Sequence, residues 1–418
     1  MYEQIEHLLG DNQHKQLQIN CLLNITNAIN DNVSSDGLFN MHKAFLSREM
    51  GVRRMAVYIK KQQQWICVSA LNLPDKLKDV DISEDLVHYQ HISTIGERDS
   101  ELLKYYKYVI PVRHKETPVA YALIGDMEDL AEEYNNIKFI TTITNIVAVA
   151  IENKRLFKKQ IEQERYKREI ELAREVQNML IPATLPREEF FEMASIYKPQ
   201  LNIGGDYFDV FELSKGRYAF CIADISGKGV SAALLMANFQ ATLHCTIQRL
   251  SKLDELVRYL NKSVLLVTQS EKIITFFIGI INIHNRTLEY VNAGHTPPLM
   301  VIGDQLFELN KGCTLLGAFD DLPEIEVGKV VLDQETLIVT FTDGLTDLVN
   351  SQGKHFDDEV LRPMLQNGIS LSAQEMNSRI LDRIDAYSIS KEFPDDIALL
   401  TCKLSMPKKR KLRKKLRA

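Results

Sequence analysis

The feature that most constrains this chain is a pair of strand-like runs with an aspartate at each open end. Residues 207–213 and 217–223 are rich in aromatic and β-branched residues and flank a Ser-Lys-Gly turn, which predicts a β-hairpin. If the turn is a three-residue loop centred on Lys215, Asp206 lies directly opposite Asp224, and opposed β-carbons are only about 4.5–5.5 Å apart. Two carboxylates at that distance raise each other's pKa unless a cation lies between them. The hairpin therefore predicts a divalent-metal site.

Further acidic residues stand where other apolar strands meet loops. A single aspartate at such a place is more often a turn or cap residue than a metal ligand. Here the pattern repeats: Gly204-Gly205 precedes Asp206, Ile-Ser-Gly-Lys-Gly follows Asp224, Asp343 follows the strand 337–341, and Asp395 and Asp396 precede the strand 397–402. An all-carboxylate set without Cys or His favours Mg²⁺ or Mn²⁺ over Zn²⁺.

The composition of the chain limits the classes of protein to which it can belong. With 418 residues, 45% of them hydrophobic, the chain can bury two or three cores. Its six cysteines have no paired spacing, which argues against a disulfide framework or a zinc site, and no secretory signal or membrane-spanning run is evident. These features predict a cytoplasmic protein. A basic tail at 405–418 ends an otherwise acidic chain. Such a tail could touch an anionic membrane, nucleic acid or the protein's own acidic surface, but a solvated terminus explains it equally well. A membrane contact is therefore left open for the tail, and no nucleic-acid partner is expected for the protein.

The N-terminal half alternates helices and strands. After an extension at 1–14, the spacing of apolar residues predicts helices and strands over the following ranges: helices at 13–31 and 36–50, strands at 55–59, 64–70, 108–113 and 118–125, and a long helix from about 132. The order of elements, with Tyr108-Val-Ile-Pro-Val-Arg and Ala120-Tyr-Ala-Leu-Ile-Gly, resembles a GAF sensor domain across 15–155. Such domains bind cyclic nucleotides, tetrapyrroles or other small molecules, or dimerise, so the resemblance leaves an unknown small ligand open.

The long helix continues past the sensor. An apolar seam of three- and four-residue steps comprises Ile143, Val147, Ala150, Phe157, Ile161, Leu172, Val176 and Met179. Such a stripe is usually ordinary core, but residues 155–175 are dense in charge and lack Pro and Gly. We therefore predict a helical coiled-coil linker at 156–182 that joins two chains in a homodimer. A stutter and polar interruptions in the seam should keep the stability of this coiled coil marginal.

The C-terminal part, 183–404, predicts an α+β layered sandwich, because many antiparallel strands enclose helices in pairs. The predicted elements are strands at 191–199, 273–283, 287–292, 298–302, 305–309, 325–332, 337–342 and 397–403, and helices at 229–250, 253–268, 357–366 and 372–386.

Six ordered motifs in this part resemble those of SpoIIE-type phosphatases of the PPM, or protein phosphatase 2C-like, family. They are Leu172-Ala-Arg-Glu-Val-Gln with Leu-Ile-Pro, Gly204-Gly-Asp-Tyr-Phe-Asp, Ala223-Asp-Ile-Ser-Gly-Lys-Gly-Val-Ser-Ala-Ala, Val291-Asn-Ala-Gly-His, Thr342-Asp-Gly-Leu-Thr-Asp and Asp395-Asp-Ile-Ala. The resemblance implies a PPM-type αββα sandwich and a serine/threonine protein phosphatase that uses two Mn²⁺ or Mg²⁺ ions. Its substrates are often STAS-domain anti-anti-sigma factors. Ala398 departs from the family, in which Ser or Thr is common, without removing a metal ligand.

The resemblance also implies roles for individual residues. Asp224 bridges the two ions, Asp206 and the Ile225 carbonyl complete one site, and Asp343 with Asp395 or Asp396 completes the other. The four catalytic acids are then Asp206, Asp224, Asp343 and Asp395. Two ions that share a water lower its pKa for attack on phosphorus. Lys228 is a candidate contact for substrate phosphate, although an exposed loop lysine is the ordinary expectation.

Two other functions stay open. Gly204-Gly-Asp-Tyr-Phe superficially resembles the Gly-Gly-Asp-Glu-Phe hairpin of diguanylate cyclases, but Tyr207 replaces the second acid and Asp343 and Asp395 would have no role. The chain could also be a catalytically silent scaffold controlled by its sensor. For regulation, we expect the apolar face of Val176-Gln-Asn-Met-Leu-Ile to pack on the phosphatase core, so that movement of the linker helix spoils or assembles the metal site. Substitutions at Val176 or Met179 should then alter the metal requirement.

Overall fold

The computed structural model resolves the chain into two compact units, Met1–Glu164 and Arg165–Ala418. Each unit is described by itself. The residues that the structure describes are 2–61, 64–74, 81–97, 99–114, 117–127, 133–200, 203–250, 252–350, 352–356, 360–387 and 393–406.

The first unit is a five-stranded antiparallel sheet with helices before and after it. Its helices are α1 (Tyr2–Asn30), α2 (Ser35–Arg48), α3 (Ser83–Leu86) and the start of α4 (Glu133–Met179), and its strands are β1 (Val52–Lys61), β2 (Gln64–Leu71), β3 (Ser93–Thr94), β4 (Tyr108–His114) and β5 (Thr117–Met127). The strand order is β2-β1-β5-β4-β3. One face packs on α1, α2 and α4, and the other is covered by residues 82–106.

The predicted helices and four main strands of this unit are confirmed. Most ends differ by a few residues, but α1 begins at Tyr2 and so includes most of the 1–14 segment that the sequence placed in an extension before the first helix. The sequence pattern did not predict α3 or β3 in the middle segment. Gln62, Gln63 and Glu132, which the sequence placed in a turn and at a helix start, lie outside the described residues. The GAF resemblance stays a prediction, since the order of elements alone does not identify the family.

The apolar seam of helix α4 is buried near the start of the helix and exposed further along. Ile143 and Val147 are buried in the core of the first unit, as ordinary packing predicts. Further along, the same seam is solvent-exposed at Phe157, Ile161 and Leu172. The coiled coil stays a prediction, and the exposed seam is the surface that it would bury.

The second unit contains the remaining elements. Its strands are β6 (Phe191–Lys198), β7 (Tyr207–Ser214), β8 (Arg217–Ile225), β9 (Ile274–Asn282), β10 (Thr287–Ala293), β11 (Leu299–Ile302), β12 (Gln305–Glu308), β13 (Gly312–Cys313), β14 (Gly328–Val331), β15 (Thr336–Phe341) and β16 (Ile397–Leu404), and its helices are α5 (Val230–Thr246), α6 (Leu253–Thr268), α7 (Asp343–Thr346), α8 (Arg362–Asn367) and α9 (Ala373–Tyr387).

These elements form four layers. One sheet has the order β13-β10-β9-β8-β7, with β14 also paired to β10, and the other has the order β12-β11-β15-β16-β6. An apolar core that includes Phe220, Phe277 and Leu400 lies between the sheets. Helices α5 and α6 cover the outer face of the first sheet, and α8 and α9 cover that of the second. The predicted α+β sandwich with αββα layers is therefore observed.

The hairpin that organises the sequence is β7 paired with β8. Tyr207 pairs with Ala223 and Glu212 with Tyr218, which is the predicted register. The predicted three-residue loop is wrong in detail. Ser214 pairs with Arg217 across a two-residue turn, and the extra residue is absorbed by a bulge between Glu212 and Ser214.

In the described part of the chain, no helix is both long enough and apolar enough to cross a bilayer. All six cysteines are free thiols.

Candidate metal centre

The predicted acids lie at strand ends of both sheets of the sandwich. Asp206 immediately precedes β7, and Asp224 lies near the end of β8. Asp343 begins α7 directly after β15, and Asp395-Asp396 directly precedes β16. Because β7 and β8 belong to one sheet and β15 and β16 to the other, the fold brings residues far apart in sequence to one edge of the sandwich.

The carboxyl groups lie close enough for their charges to raise one another's pKa. Burial, followed by the charge of Asp224, raises the pKa of Asp206 well above its usual value. Burial, followed by the charges of Asp343, Asp395 and Asp396, raises the pKa of Asp224 to about 7. The pKa values of Asp343 and Asp396 are also raised, mainly by burial. Like charges that lie close together in a partly desolvated site repel each other, and a bound cation would reduce this repulsion.

Three of the acids already have partners within the protein. Thr342 Oγ1 donates to Asp206 Oδ2 at 2.6 Å. The backbone N–H groups of Gln200 and Gly205 donate to Asp396 Oδ1 and Oδ2, each at 2.7 Å. Lys228 and Asp395 form an ion pair, described below. Sequence patterns assigned no role to Thr342, although it opens the Thr342-Asp-Gly-Leu-Thr-Asp motif, and did not single out Gln200, which lies in no motif.

These partners bear on the geometry of the site. Across the residues described, no three His, Cys, Asp or Glu side chains are arranged so that they could hold a metal ion. The donor set still fits Mg²⁺ or Mn²⁺ chemically, because such ions take oxygen ligands and commonly bind through one or two carboxylates with several waters retained. A metal would therefore require the carboxylates to exchange some internal partners.

Two glycines let the backbone approach the acids closely. A β-carbon at Gly205 would lie 2.7 Å from the Ile225 carbonyl oxygen, and one at Gly344 would overlap the Asp396 carbonyl. Any side chain at either position would push these segments apart. The Ile225 carbonyl, a predicted ligand, thus lies directly beside the segment that carries Asp206.

The last turn of α4 contacts this segment through Gln177. Its Nε2 donates to the Gly204 carbonyl at 2.7 Å, and its Oε1 accepts from the Gly204 N–H at 3.2 Å. Gln177 is 4% exposed, whereas Val176 and Met179 are 59% and 78% exposed. The expected apolar packing of the 176–181 segment is confirmed at Leu180 and Ile181, which pack against the cores of this unit. It is wrong at Val176 and Met179, because the inward-facing side chain of this helical turn is the polar Gln177.

Lys228 lies in the loop after β8 and forms three contacts. Its Nζ lies 3.1 Å from Asp395 Oδ2 and donates to Gln200 Oε1 at 2.8 Å and to the Pro394 carbonyl at 3.3 Å. The predicted contact with substrate phosphate stays a prediction.

The one histidine of the sequence motifs is structural. His295 is 4% exposed and lies between Thr275 Oγ1, 2.8 Å from Nδ1, and the Phe341 carbonyl, 3.1 Å from Nε2. Burial lowers its pKa to about 4. This neutral ring links β9 of one sheet to β15 of the other.

Comparison with solved structures defines the class of fold. The chain aligns with the SiaA-PP2C domain of Pseudomonas aeruginosa with a TM-score of 0.53 and 18% sequence identity, covering 58% of this chain and 99% of that domain. The second unit therefore has the PP2C-type phosphatase fold.

Comparison of sequences narrows this class. Residues 214–405, just under half of the chain, match the family described as Stage II sporulation protein E (SpoIIE). Phosphoserine phosphatase RsbU of Bacillus subtilis is 27% identical over 224 residues, covering 53% of this chain and 66% of RsbU. Phosphoserine phosphatase RsbP of the same organism is 27% identical over 187 residues, covering 43% of this chain and 46% of RsbP. The chain thus spans less than two thirds of either relative.

Proposed function

We propose that this chain is a metal-dependent serine/threonine protein phosphatase controlled by its N-terminal unit. The observation that carries the proposal is the set of five mutually repelling carboxylates at one edge of a PP2C-type sandwich. The names of RsbU and RsbP, both phosphoserine phosphatases, support the same reaction.

The contacts within the site support a division of roles among the acids. Both oxygens of Asp396 accept backbone N–H groups, so we assign this residue to holding the loops of Gln200 and Gly205 together. Asp395 is more exposed, and we assign it as the metal ligand of the pair.

The residues that would hold the ions are then Asp224, shared by both, Asp206 and the Ile225 carbonyl for one, and Asp343 and Asp395 for the other. When bound, Mn²⁺ or Mg²⁺ would supply a water of lowered pKa and positive charge for the phosphoryl oxygens. The chain's own contribution is to fix these oxygens on rigid strand ends, so that little reorganisation is needed during the reaction.

We further propose that the substrate is a phosphoserine or phosphothreonine protein of the STAS-domain type, and that the first unit is a GAF-like sensor within a homodimer. The support for the sensor and the homodimer is the order of elements in the first unit and the exposed seam of α4. The substrate class rests on the resemblance of the six motifs to those of SpoIIE-type phosphatases.

Phosphate release from a phosphoserine protein, with and without Mn²⁺, tests the reaction. Asp224→Ala or Asp343→Ala in the full chain should lower the rate at least ~10²-fold, because each removes a charged oxygen ligand from the reacting centre. Asp333→Ala is a matched control, since Asp333 is an exposed loop carboxylate between β14 and β15. It should keep the wild-type rate.

Hydrolysis by wild type that needs no divalent ion, or near-normal hydrolysis by Asp224→Ala, would contradict the proposal. A folded wild-type chain that releases no phosphate with Mn²⁺ from any phosphoprotein tested would instead favour the silent scaffold.

A further inference from the structure

A positive charge is already built into the acid cluster. The Lys228 ammonium lies 3.1 Å from Asp395 Oδ2 and also contacts Gln200 Oε1 and the Pro394 carbonyl. Its side chain is half exposed, yet it has partners on two other segments. Fixing this side chain costs conformational entropy, which these contacts must offset.

Gln200 organises this arrangement. Its backbone N–H donates to Asp396 Oδ1 at 2.7 Å, and its side-chain Nε2 donates to the Pro394 carbonyl at 2.8 Å. Its remaining side-chain oxygen accepts from Lys228. The segment after β6, the loop after β8 and the segment before β16 are therefore tied together around one ammonium group.

Both oxygens of Asp395 are engaged in this state. Oδ2 pairs with Lys228, and Oδ1 accepts the backbone N–H of Asp396 at 2.8 Å. A divalent cation that binds Asp395 Oδ2 is placed close to the Lys228 ammonium, which already contacts this oxygen. The cation repels this ammonium, because two positive charges cannot share one carboxylate oxygen without strong Coulomb repulsion.

We propose that Lys228 is the internal cation of the metal-free acid cluster and that a divalent metal displaces it from Asp395. The inference rests on the metal site of the proposed function. Lys228 then has two effects: it holds Asp395 and the surrounding loops in place without metal, and it weakens metal binding by competition. A displaced Lys228 is available for the contact with substrate phosphate that the sequence predicts.

Calorimetric titration of the full chain with Mn²⁺ tests the competition. Lys228→Met removes the charge at similar length, so Mn²⁺ should bind about threefold or more tightly, the range expected for a partly exposed ion pair. The thermal unfolding midpoint in EDTA should fall, because Asp395 loses its partner. Lys228→Arg keeps the charge and should behave like wild type.

Lys272→Met is the matched control for loss of one positive charge. The Lys272 side chain lies beside Gly227, in the same loop region as Lys228. If pairing with Asp395 matters, Lys272→Met should leave the Mn²⁺ affinity close to that of wild type. An equal effect of the two substitutions, or an unchanged or weaker affinity in Lys228→Met, would overturn the inference.

Chemical labelling of wild type provides a readout that needs no variant. The full chain is treated with an amine-acylating reagent with and without Mn²⁺, and the extent of labelling at each lysine is measured by peptide mass spectrometry. Labelling at Lys228 should rise with Mn²⁺ while labelling at Lys272 stays constant. Unchanged labelling at Lys228 under saturating Mn²⁺ would overturn the displacement.

Neither readout depends on phosphate release. A protein that binds Mn²⁺ and displaces Lys228 but releases no phosphate would overturn the proposed function and leave this inference standing. An active, Mn²⁺-dependent protein in which Lys228 does not move would overturn only the inference. A chain that binds no Mn²⁺ would overturn both.

Discussion

Asp224 combines partial burial with three carboxylate neighbours, and its pKa is therefore raised to about 7. In an unfolded chain an aspartate has a pKa of about 3.9. Between about pH 4 and pH 7, the folded, metal-free protein thus holds a proton on Asp224 that the unfolded protein has already lost. This difference links the pH to the free energy of unfolding.

The sign of the pH dependence follows directly. The stabilising contribution is fully present below about pH 4 and is lost as the pH rises through about 7, so the metal-free protein should lose stability over that interval. One group contributes at most about 1.4 kcal/mol per pH unit. We expect the thermal unfolding midpoint in EDTA to fall between pH 5 and pH 8.

Asp224→Asn should make that fall shallower, since an amide does not titrate, and Asp333→Asn should not change it. Saturating Mn²⁺ should reverse the trend, because the ion binds the carboxylate form. A midpoint that rises with pH in EDTA, or an identical slope in Asp224→Asn, would show that Asp224 does not titrate as its surroundings indicate.

The sequence predicted the acids of the site but not their partners. Asp206, Asp224 and Asp343 could be found because each ends or begins a segment whose apolar pattern marks a buried strand. The Thr342 hydroxyl on Asp206 and the Lys228–Asp395 pair could not, because they join loops that are distant in sequence. Local patterns carry no information about which loop a hydroxyl or an ammonium meets.

At the scale of elements, the last turn of α4 contacts the segment that leads to Asp206 through one side-chain amide. Gln177 makes two hydrogen bonds with the backbone of Gly204, two residues before Asp206. The β7–β8 hairpin then continues from Asp206, so the position of this carboxylate depends on where the helix ends. The sequence pattern predicted that apolar side chains of this helix end pack on the unit, but it did not predict the Gln177 amide that contacts Gly204.

Gln177→Ala should raise the Mn²⁺ concentration needed for half-maximal phosphatase activity, because the Gly204 backbone loses both partners and Asp206 is less firmly placed. A buried backbone group left unpaired costs about 1–3 kcal/mol, equivalent to roughly fivefold or more in apparent affinity. Titration of activity against Mn²⁺ measures the effect.

Asn178→Ala is the matched control, since Asn178 is the neighbouring amide and is exposed. It should leave the Mn²⁺ requirement unchanged. A Gln177→Ala protein with a changed KM for substrate but the wild-type Mn²⁺ requirement would contradict a role in placing Asp206.

The hairpin itself illustrates what periodicity predicts. The register of β7 with β8 could be predicted because alternate residues must face the same core, which excludes a one-residue slip. The bulge near Ser214 could not be predicted, because a two-residue turn with a bulge and a three-residue loop give the same register in the rest of the strands.

At the scale of the whole molecule, the seam of α4 is the feature that the packing of a single chain leaves unexplained. Phe157, Ile161, Leu172, Val176 and Met179 share the spacing of the buried Ile143 and Val147, yet all five are exposed. The sequence could predict the spacing but not what covers it. An exposed apolar stripe of this length on a charged helix is typical of a coiled-coil seam.

We therefore expect the intact chain to sediment as a dimer at micromolar concentration. Glu164→Pro should shift it toward monomer, because a proline inside a helix costs about 3 kcal/mol or more and interrupts the seam between Ile161 and Leu172. Glu164→Ala, which keeps the helix, should remain dimeric. If the wild-type chain sediments only as a monomer, or if Glu164→Pro is as dimeric as Glu164→Ala, the exposed seam is not the dimer interface.

If dimerisation also couples the first unit to the phosphatase, Glu164→Pro should abolish any response of phosphate release to the first unit while the Mn²⁺ requirement set by Gln177 stays at the wild-type value.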